Sequence, residues 1–189
     1  MPIVVESRRK KPETLRARHP DATLVDVTSR GPEPWIRFSP FYPHGEIPVP
    51  LSPGVVAASV EGIWQGLKVF ERADVDHATF AITSMRGIKR TARRFGRVLG
   101  HRAGVGGERL LGYREARFQI YLPAYLHVLR RCLRAELERL ARLSAAGVVV
   151  LLDYATNADV DDLSRPLSHA ALVRLYLEGR WPHPGDHKE

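Results

Sequence analysis

The sequence predicts a single, helix-rich α+β domain, and three observations lead there. Apolar residues recur at helical spacing over several long stretches, whereas strand-like runs are short and confined to the N-terminal region and to residues 148–152. The chain has 189 residues, the ordinary size of one domain with one core. Hydrophobic residues make up 44% and charged residues 26%, which excludes a mainly disordered or fibrous chain.

Residues 1–28 read as a strand-helix-strand extension: Pro2 to Glu6 is extended, Pro12 to Arg18 helical, and Thr23 to Val27 an alternating, β-branched strand. Between Gly31 and Pro53 stand Pro32, Pro34, Pro40, Pro43, Pro48, Pro50 and Pro53. Fixed φ angles at this density exclude a regular helix and give a stiff, extended path. Trp35, Phe38, Phe41 and Tyr42 make that path too apolar for a linker, so it is expected to wall the core or one side of a cleft.

Ser59 is expected to cap a helix over residues 60–72, with Val60, Ile63, Leu67 and Phe70 on its buried side. A second helix is expected from Ser84, its apolar stripe formed by Met85, Ile88, Ala92, Phe95 and Leu99 and its stop by Gly100. A glycine-rich turn, His101 to Gly107, follows. Tyr113 to Ala145 is helical again, with Pro123 marking a kink or a break into two helices and Gly147 closing it. Val148 to Leu152 is a buried strand, residues 167–178 form an amphipathic helix, and 180–189 is a polar tail. No internal repeat is present.

Lysine and arginine total 29 against 21 acids, and the excess is local: Arg86, Lys89, Arg90, Arg93, Arg94, Arg97 and Arg102 come with no acid between them. A basic helix over 86–102 would attract phosphates through charge-assisted hydrogen bonds, or would simply be a solvated face. The acidic loop Asp153, Asp159, Asp161 and Asp162 is an alternative partner for it. Cys132 is alone, which excludes an internal disulfide and a cysteine-rich zinc site and leads us to expect a reducing compartment, the cytoplasm by default. No apolar run approaches the length of a membrane span, and in MPIVVESRRKK the charges follow the apolar residues, so neither a membrane segment nor a signal peptide is expected.

The informative segment is SVEGIWQGLK, residues 59–68. On a helix, Glu61, Gln65 and Lys68 at i, i+4 and i+7 share a stripe about 60° wide, opposite Ile63, Leu67 and Phe70. Such a stripe is either a solvated face with one ion pair or a site. Gly62 and Gly66 in the same helix each cost about 1 kcal/mol against alanine, which points to a close approach to the backbone by packed protein or by a ligand.

Residues 38–70, FSPFYPHGEIPVPLSPGVVAASVEGIWQGLKVF, resemble the signature of the NADAR superfamily, in which a Ser-Asn-Phe-Tyr-Pro type segment precedes a helix of the form Ser-x-Glu-His-x-x-Gln-x-x-Lys. IKRTARRFGR at 88–97 resembles the family's basic helix, and LLDYATNADVDD followed by PLSHAALVRLYL its closing Thr-x-Asn loop and terminal helix. The resemblance implies a NADAR-like helical core and hydrolysis of an N-glycosidic bond to ribose in a small nucleotide-like compound or in ADP-ribosylated nucleic acid. No cofactor is expected, and no metal site, because His44, His101 and His169 are far apart in sequence and no HxH or HxxxH spacing links any two of them. Carried over position by position, Glu61 and Lys68 are the catalytic pair, and Ser39, Phe41, Tyr42, Trp64, Gln65, Arg97, Thr156 and Asn157 the substrate contacts. Three features depart from the family pattern: Gly62 replaces its histidine, Pro40 its asparagine, and Asp159 to Asp162 its Tyr-Trp-Gly element. His44, His101 and His169 are candidates to touch the substrate in place of those side chains.

The chemistry follows from the residue types. Cleaving a ribosyl C–N bond builds positive charge on the sugar, which a carboxylate such as Glu61 stabilises while positioning water. Lys68 offers a covalent alternative, because an unprotonated amine condenses with the aldehyde of an opened ribose. That route requires burial to lower the lysine pKa against the opposing influence of Glu61. Two rival readings stand beside it: a noncatalytic protein that binds a nucleotide in the same cleft or nucleic acid on the basic helix, and a structural partner protein with all three side chains in water.

Overall fold

The computed structural model describes residues 2–185, so Met1 and the end of the predicted polar tail, 186–189, lie outside the described residues. In chain order the elements begin with strand β1 (Ile3–Ser7), helix α1 (Pro12–Arg18) and strand β2 (Thr23–Asp26). A 3-10 turn at Trp35–Phe38 and the two-residue strands β3 (Ile47–Pro48) and β4 (Val56–Ala57) follow. Helix α2 (Val60–Gly66), strand β5 (Lys68–Phe70), a 3-10 turn (His77–Ala81) and helix α3 (Ala92–Phe95) come next. Strands β6 (Val98–Arg102) and β7 (Leu110–Leu111) lead into helix α4 (Tyr113–Ala116), a π-helical turn (Arg117–Tyr121) and helix α5 (Leu122–Arg131). Helix α6 (Arg134–Ala146), strand β8 (Val149–Asp153) and helix α7 (His169–Leu177) complete the chain. The class is α+β, rich in helix, with short strands. No helix of the described residues is long and apolar enough to cross a membrane.

The chain folds as two compact units: the described parts of Met1–Ser39 and Leu133–Glu189, and Pro40–Cys132. In the first, β8 lies between β1 and β2, parallel to both, with Val4 opposite Val150 and Leu24 opposite the same residue. All five residues of β8 are buried, as the unbroken apolar run Val148 to Leu152 requires of a central parallel strand. Leu15 of α1 packs on Val150 and Leu152, joined by Val4 and Leu24. Pro12 in the first turn of α1, with Glu13 there and Arg16 and Arg18 in the last turn, makes that short helix consistent with its dipole.

In the second unit β5, β6 and β7 form an antiparallel sheet in that order, and β3 pairs with β4. Ile47, Ile63, Leu67, Phe80, Ile120, Tyr125 and Leu129 are buried core residues of this unit. Helix α2 is capped by Ser59, whose hydroxyl accepts the Gly62 amide at 3.0 Å.

Three predicted elements need correction, and each has a local cause. The helix expected over 60–72 stops at Gly66, whose carbonyl accepts the Asp76 amide at 2.8 Å, and Lys68 to Phe70 pair with β6 instead. The basic helix expected over 86–102 is reduced to the single turn Ala92–Phe95, because Met85 and Gly87 have positive φ (56° and 72°) and Val98 to Arg102 is a strand. Of its expected stripe Ile88 is buried, whereas Leu99 is 47% exposed. Gly100 is no helix stop. It lies in β6, where a methyl group would meet the Leu111 carbonyl oxygen at 2.7 Å. No break falls at Pro123: the helical backbone runs without interruption from Tyr113 to Arg131, its winding changes to π over Arg117–Tyr121 just before Pro123, and the break into two helices comes at Cys132 and Leu133.

Candidate active site

Helix α2 and strand β5 carry the central residues. Glu61 and Gln65, one turn apart on α2, are buried at 8% and 5% exposure, so the stripe is no solvated face. The Gln65 amide nitrogen donates to Glu61 Oε1 at 2.8 Å, and its oxygen accepts the Lys68 amine at 3.1 Å. Acid and amine are thereby joined through a neutral amide, with no direct ion pair between them among the described residues. The second oxygen of Glu61 accepts no hydrogen bond from the described residues. Lys68 does not stand on the helix, as the i+7 spacing assumed. It opens β5, and its side chain reaches back to Gln65.

Arg90 fixes this corner from behind. Its backbone amide donates to the Gln65 side-chain oxygen at 3.1 Å, while its guanidinium donates to the carbonyls of Gln65 (3.0 Å), Lys68 (2.7 Å) and Asp74 (2.7 Å). The side chain is thus committed to backbone and is nearly buried. The sequence placed Arg90 in a basic surface run and missed this role. An arginine aimed at three carbonyls has no local sequence signal.

Burial pushes the Lys68 amine below the ordinary lysine value; Glu61 opposes that shift, and Arg90 and Lys89 reinforce it. Desolvation therefore outweighs the carboxylate, the condition that covalent chemistry at this lysine requires. Directly across the sheet from Lys68 is His101. It is 2% exposed, and burial, with Lys68 adding to it and the Trp64 backbone acting the other way, takes its imidazole down to about 3. The ring is neutral at physiological pH. Trp64 covers it with ring centroids 3.9 Å apart, and Tyr113 and Tyr121 flank the indole at 6.0 and 5.7 Å. Tyr121 comes from the π-helical turn, a second contributor that the sequence did not single out.

Phe41 and Tyr42 begin beside the first turn of α2, because the Glu61 amide donates to the Pro40 carbonyl at 2.8 Å. Both are half-buried; the Lys89 amine lies over the Phe41 ring, and Tyr42 packs on His44. A cavity of about 220 Å³ is lined by Asp76, Thr79, Lys89, Arg90 and Arg94 among others, so two exposed cations face it together with one acid. Gly62 and Gly66 are explained by packing within the protein: a methyl group at Gly66 would overlap the Phe80 ring, and one at Gly62 would sit 3.0 Å from both Ser59 Oγ and the Thr79 carbonyl. They report no ligand.

Arg97 is exposed and pairs with Glu71 at 3.3 Å, and Arg102 grips Asp74 at 2.6 Å. Ser39, Thr156, Asn157 and His169 belong to the first unit. There Ser39 is buried and Thr156 exposed. Asn157 holds its own loop: its amide nitrogen donates to the Asp162 and Arg165 carbonyls and its oxygen accepts the Asp159 amide. His169 is buried between Asp153, 3.0 Å from Nδ1, and the Val27 carbonyl, 2.8 Å from Nε2. Asp162 of the acidic loop pairs with Arg165 at 2.6 Å. Among the described residues no three His, Cys, Asp or Glu side chains converge as a metal site would.

A family of unknown function (DUF6939) matches residues 7–173. No curated protein and no solved structure matches the chain.

Proposed function

We propose that this chain, which belongs to the DUF6939 family of unknown function, is an N-glycosidase that cleaves a ribosyl C–N bond in a small nucleotide-like substrate, with Glu61 and Lys68 at the reacting carbon. The observation that carries the reading is the buried relay from Glu61 through Gln65 to an amine whose pKa is depressed. A structural ion pair would bring the two charges into contact. Here an amide holds them apart, leaving one carboxylate oxygen and the amine available to a ligand.

In the reaction, positive charge grows on the ribose ring as the base departs, and Glu61 offsets it from a buried position where electrostatic effects are strong. Water oriented by the same carboxylate completes hydrolysis, giving up one proton as its oxygen joins the anomeric carbon, while the base leaves with the bonding electrons and takes up a proton. The covalent branch uses Lys68. Its nitrogen bonds to the anomeric carbon as the C–N bond to the base breaks, the amine proton is passed to the departing base, and ring opening leaves an imine that water hydrolyses. The lowering of the Lys68 pKa by burial favours this branch. The resemblance of residues 38–70 to the NADAR signature supports the same assignment of Glu61, Gln65 and Lys68. Lys89 and Arg94, facing one cavity, suit the phosphates of such a substrate. The basic residues Arg86, Lys89, Arg93, Arg94 and Arg97 are exposed, but on loops and a single helical turn in place of one continuous helix, and they remain the basis of the alternative reading as a nucleic-acid binding protein.

The test is incubation of the purified chain with a panel of ribosylated nucleotides, ADP-ribosylated bases and ADP-ribosylated DNA, read by mass spectrometry. Release of free base from at least one compound is expected. A panel that remains intact overturns the assignment.

A further inference from the structure

His101 carries one observation that fold stability does not explain. It is 2% exposed, yet neither ring nitrogen has a hydrogen-bond partner among the described residues. The Trp64 backbone lies near enough to favour the imidazolium but does not reach hydrogen-bond geometry. Stacking on Trp64 accounts for where the ring lies but leaves both nitrogens unsatisfied, and buried polar groups are normally paired. The ring also has a definite neighbour: as register partners in β5 and β6, Lys68 and His101 put their side chains on the same face of the sheet. The amine is close enough to depress the imidazole's pKa. A molecule joined to Lys68 through one carbon therefore has its next atoms on the face of the sheet that His101 occupies.

Resting on the reading of Lys68 above, we propose that His101 is a direct ligand contact, hydrogen-bonding the hydroxyl on the carbon adjacent to the one that Lys68 attacks. The site then selects α-hydroxy aldehydes, the open-chain form of an aldose such as ribose, over their deoxy counterparts. An imidazole offers one donor and one acceptor, and a hydroxyl can pair with either. Carbonyl groups of ordinary aldehydes lack that second handle. The covalent step itself is balanced without an added reagent: the Lys68 nitrogen adds to the aldehyde carbon, a carbinolamine forms, and water leaves as the C=N bond is made.

The experiment exposes the full chain to ribose 5-phosphate or 2-deoxyribose 5-phosphate with sodium borohydride, which reduces the imine to a stable amine, and quantifies the Lys68 adduct by peptide mass spectrometry. The wild-type chain is expected to favour ribose 5-phosphate by about tenfold, the worth of one good hydrogen bond, although the deoxy sugar holds more free aldehyde. His101→Leu should reduce the ratio to about one while melting no lower than the wild type, because no protein hydrogen bond is lost. His101→Gln, which restores a donor and an acceptor, should recover part of the preference, and it keeps the comparison valid should the leucine variant fold poorly. Equal labelling by the two sugars in the wild type, or an undiminished preference in both variants, overturns the role of His101 alone. Labelling of Lys68 no greater than that of exposed Lys11 with either sugar overturns the reading of Lys68 and the role of His101 with it.

Discussion

Lys68 and His101 face one another across the paired strands β5 and β6, and burial lowers the pKa of both. The amine lies a hydrogen bond from Gln65, which in turn holds Glu61. The competing influences on Lys68 can be measured one at a time. Competitive acetylation with acetic anhydride, followed by peptide mass spectrometry across pH, should show Lys68 titrating below the ordinary lysine value. Glu61→Gln removes the negative charge that opposes the shift and should lower the Lys68 titration further. Titration of Lys68 together with the exposed lysines would remove the basis for nucleophilic chemistry there.

Helix α2 tolerates no side chain at Gly66. On propensity alone Gly66→Ala should stabilise by about 1 kcal/mol. The Phe80 ring occupies the space a methyl group needs, so we expect overpacking to win and urea unfolding to show a net loss of about 1–3 kcal/mol. Gly62→Ala, where the nearest atoms are 3.0 Å away, should cost less. A stabilised Gly66→Ala chain would mean that Phe80 does not pack there.

His169 and Asp153 form a buried pair in the first unit whose stability depends on pH. Burial alone would lower the imidazole, but the Asp153 carboxylate, its hydrogen bond and the Val27 carbonyl overcome it and hold His169 above its ordinary value. Burial would likewise raise Asp153, yet His169, Ser168 and the Ala170 amide bring it down to about 2. A raised histidine stabilises fully below its unfolded pKa of about 6.5 and loses that contribution as pH rises through the folded value. A lowered aspartate contributes fully above its unfolded value, about 3.9, and loses it as pH falls toward 2. Urea midpoints should therefore be highest for this pair between roughly pH 4 and 6.5 and decline on the alkaline side, and His169→Gln should flatten that decline. Asp153→Asn, which strands a buried imidazolium, should cost about 3–5 kcal/mol near pH 6. An alkaline limb identical in wild type and His169→Gln would exclude this origin.

Much of this was legible in the sequence where the determinants are local. The run Val148 to Leu152, the Ser59 cap and the Pro12 to Arg18 helix depend on neighbours within a turn or on strand composition, and the structure has all three within a residue or so of their expected bounds. Glu61 and Gln65 were placed together by helix periodicity alone. Lys68 reached the same cluster by another route, since a strand begins at that residue, and spacing on a helix gave the right partner for the wrong geometric reason. The segment 84–102 was misread because its hydrophobic spacing fits a helix while Met85, Gly87 and the non-local bonds of Arg90 do not. The unsatisfied state of His101 depends on a strand pairing that spans the unit, and nothing near it in sequence encodes it.

The cavity shared by Lys89 and Arg94 gives a prediction about phosphate. Lys89→Ala and Arg94→Ala should each raise KM for a phosphorylated substrate by about tenfold with kcat little changed, since a charge-assisted hydrogen bond lost equally from ground and transition states removes uniform binding. Both variants should melt near the wild-type temperature, as the side chains are exposed. An unaltered KM in both would place the phosphates elsewhere.

Glu61 offers the most direct measurement: the rate of base release from a cleaved ribosyl compound, followed by mass spectrometry in wild type and Glu61→Gln, with circular dichroism to compare their folds. Glutamine keeps the shape and an oxygen for the Gln65 amide, so the fold should persist, while release should fall by about a hundredfold or more with the loss of the buried negative charge. Turnover by Glu61→Gln at the wild-type rate would contradict the assignment of this site as the place where the bond is broken.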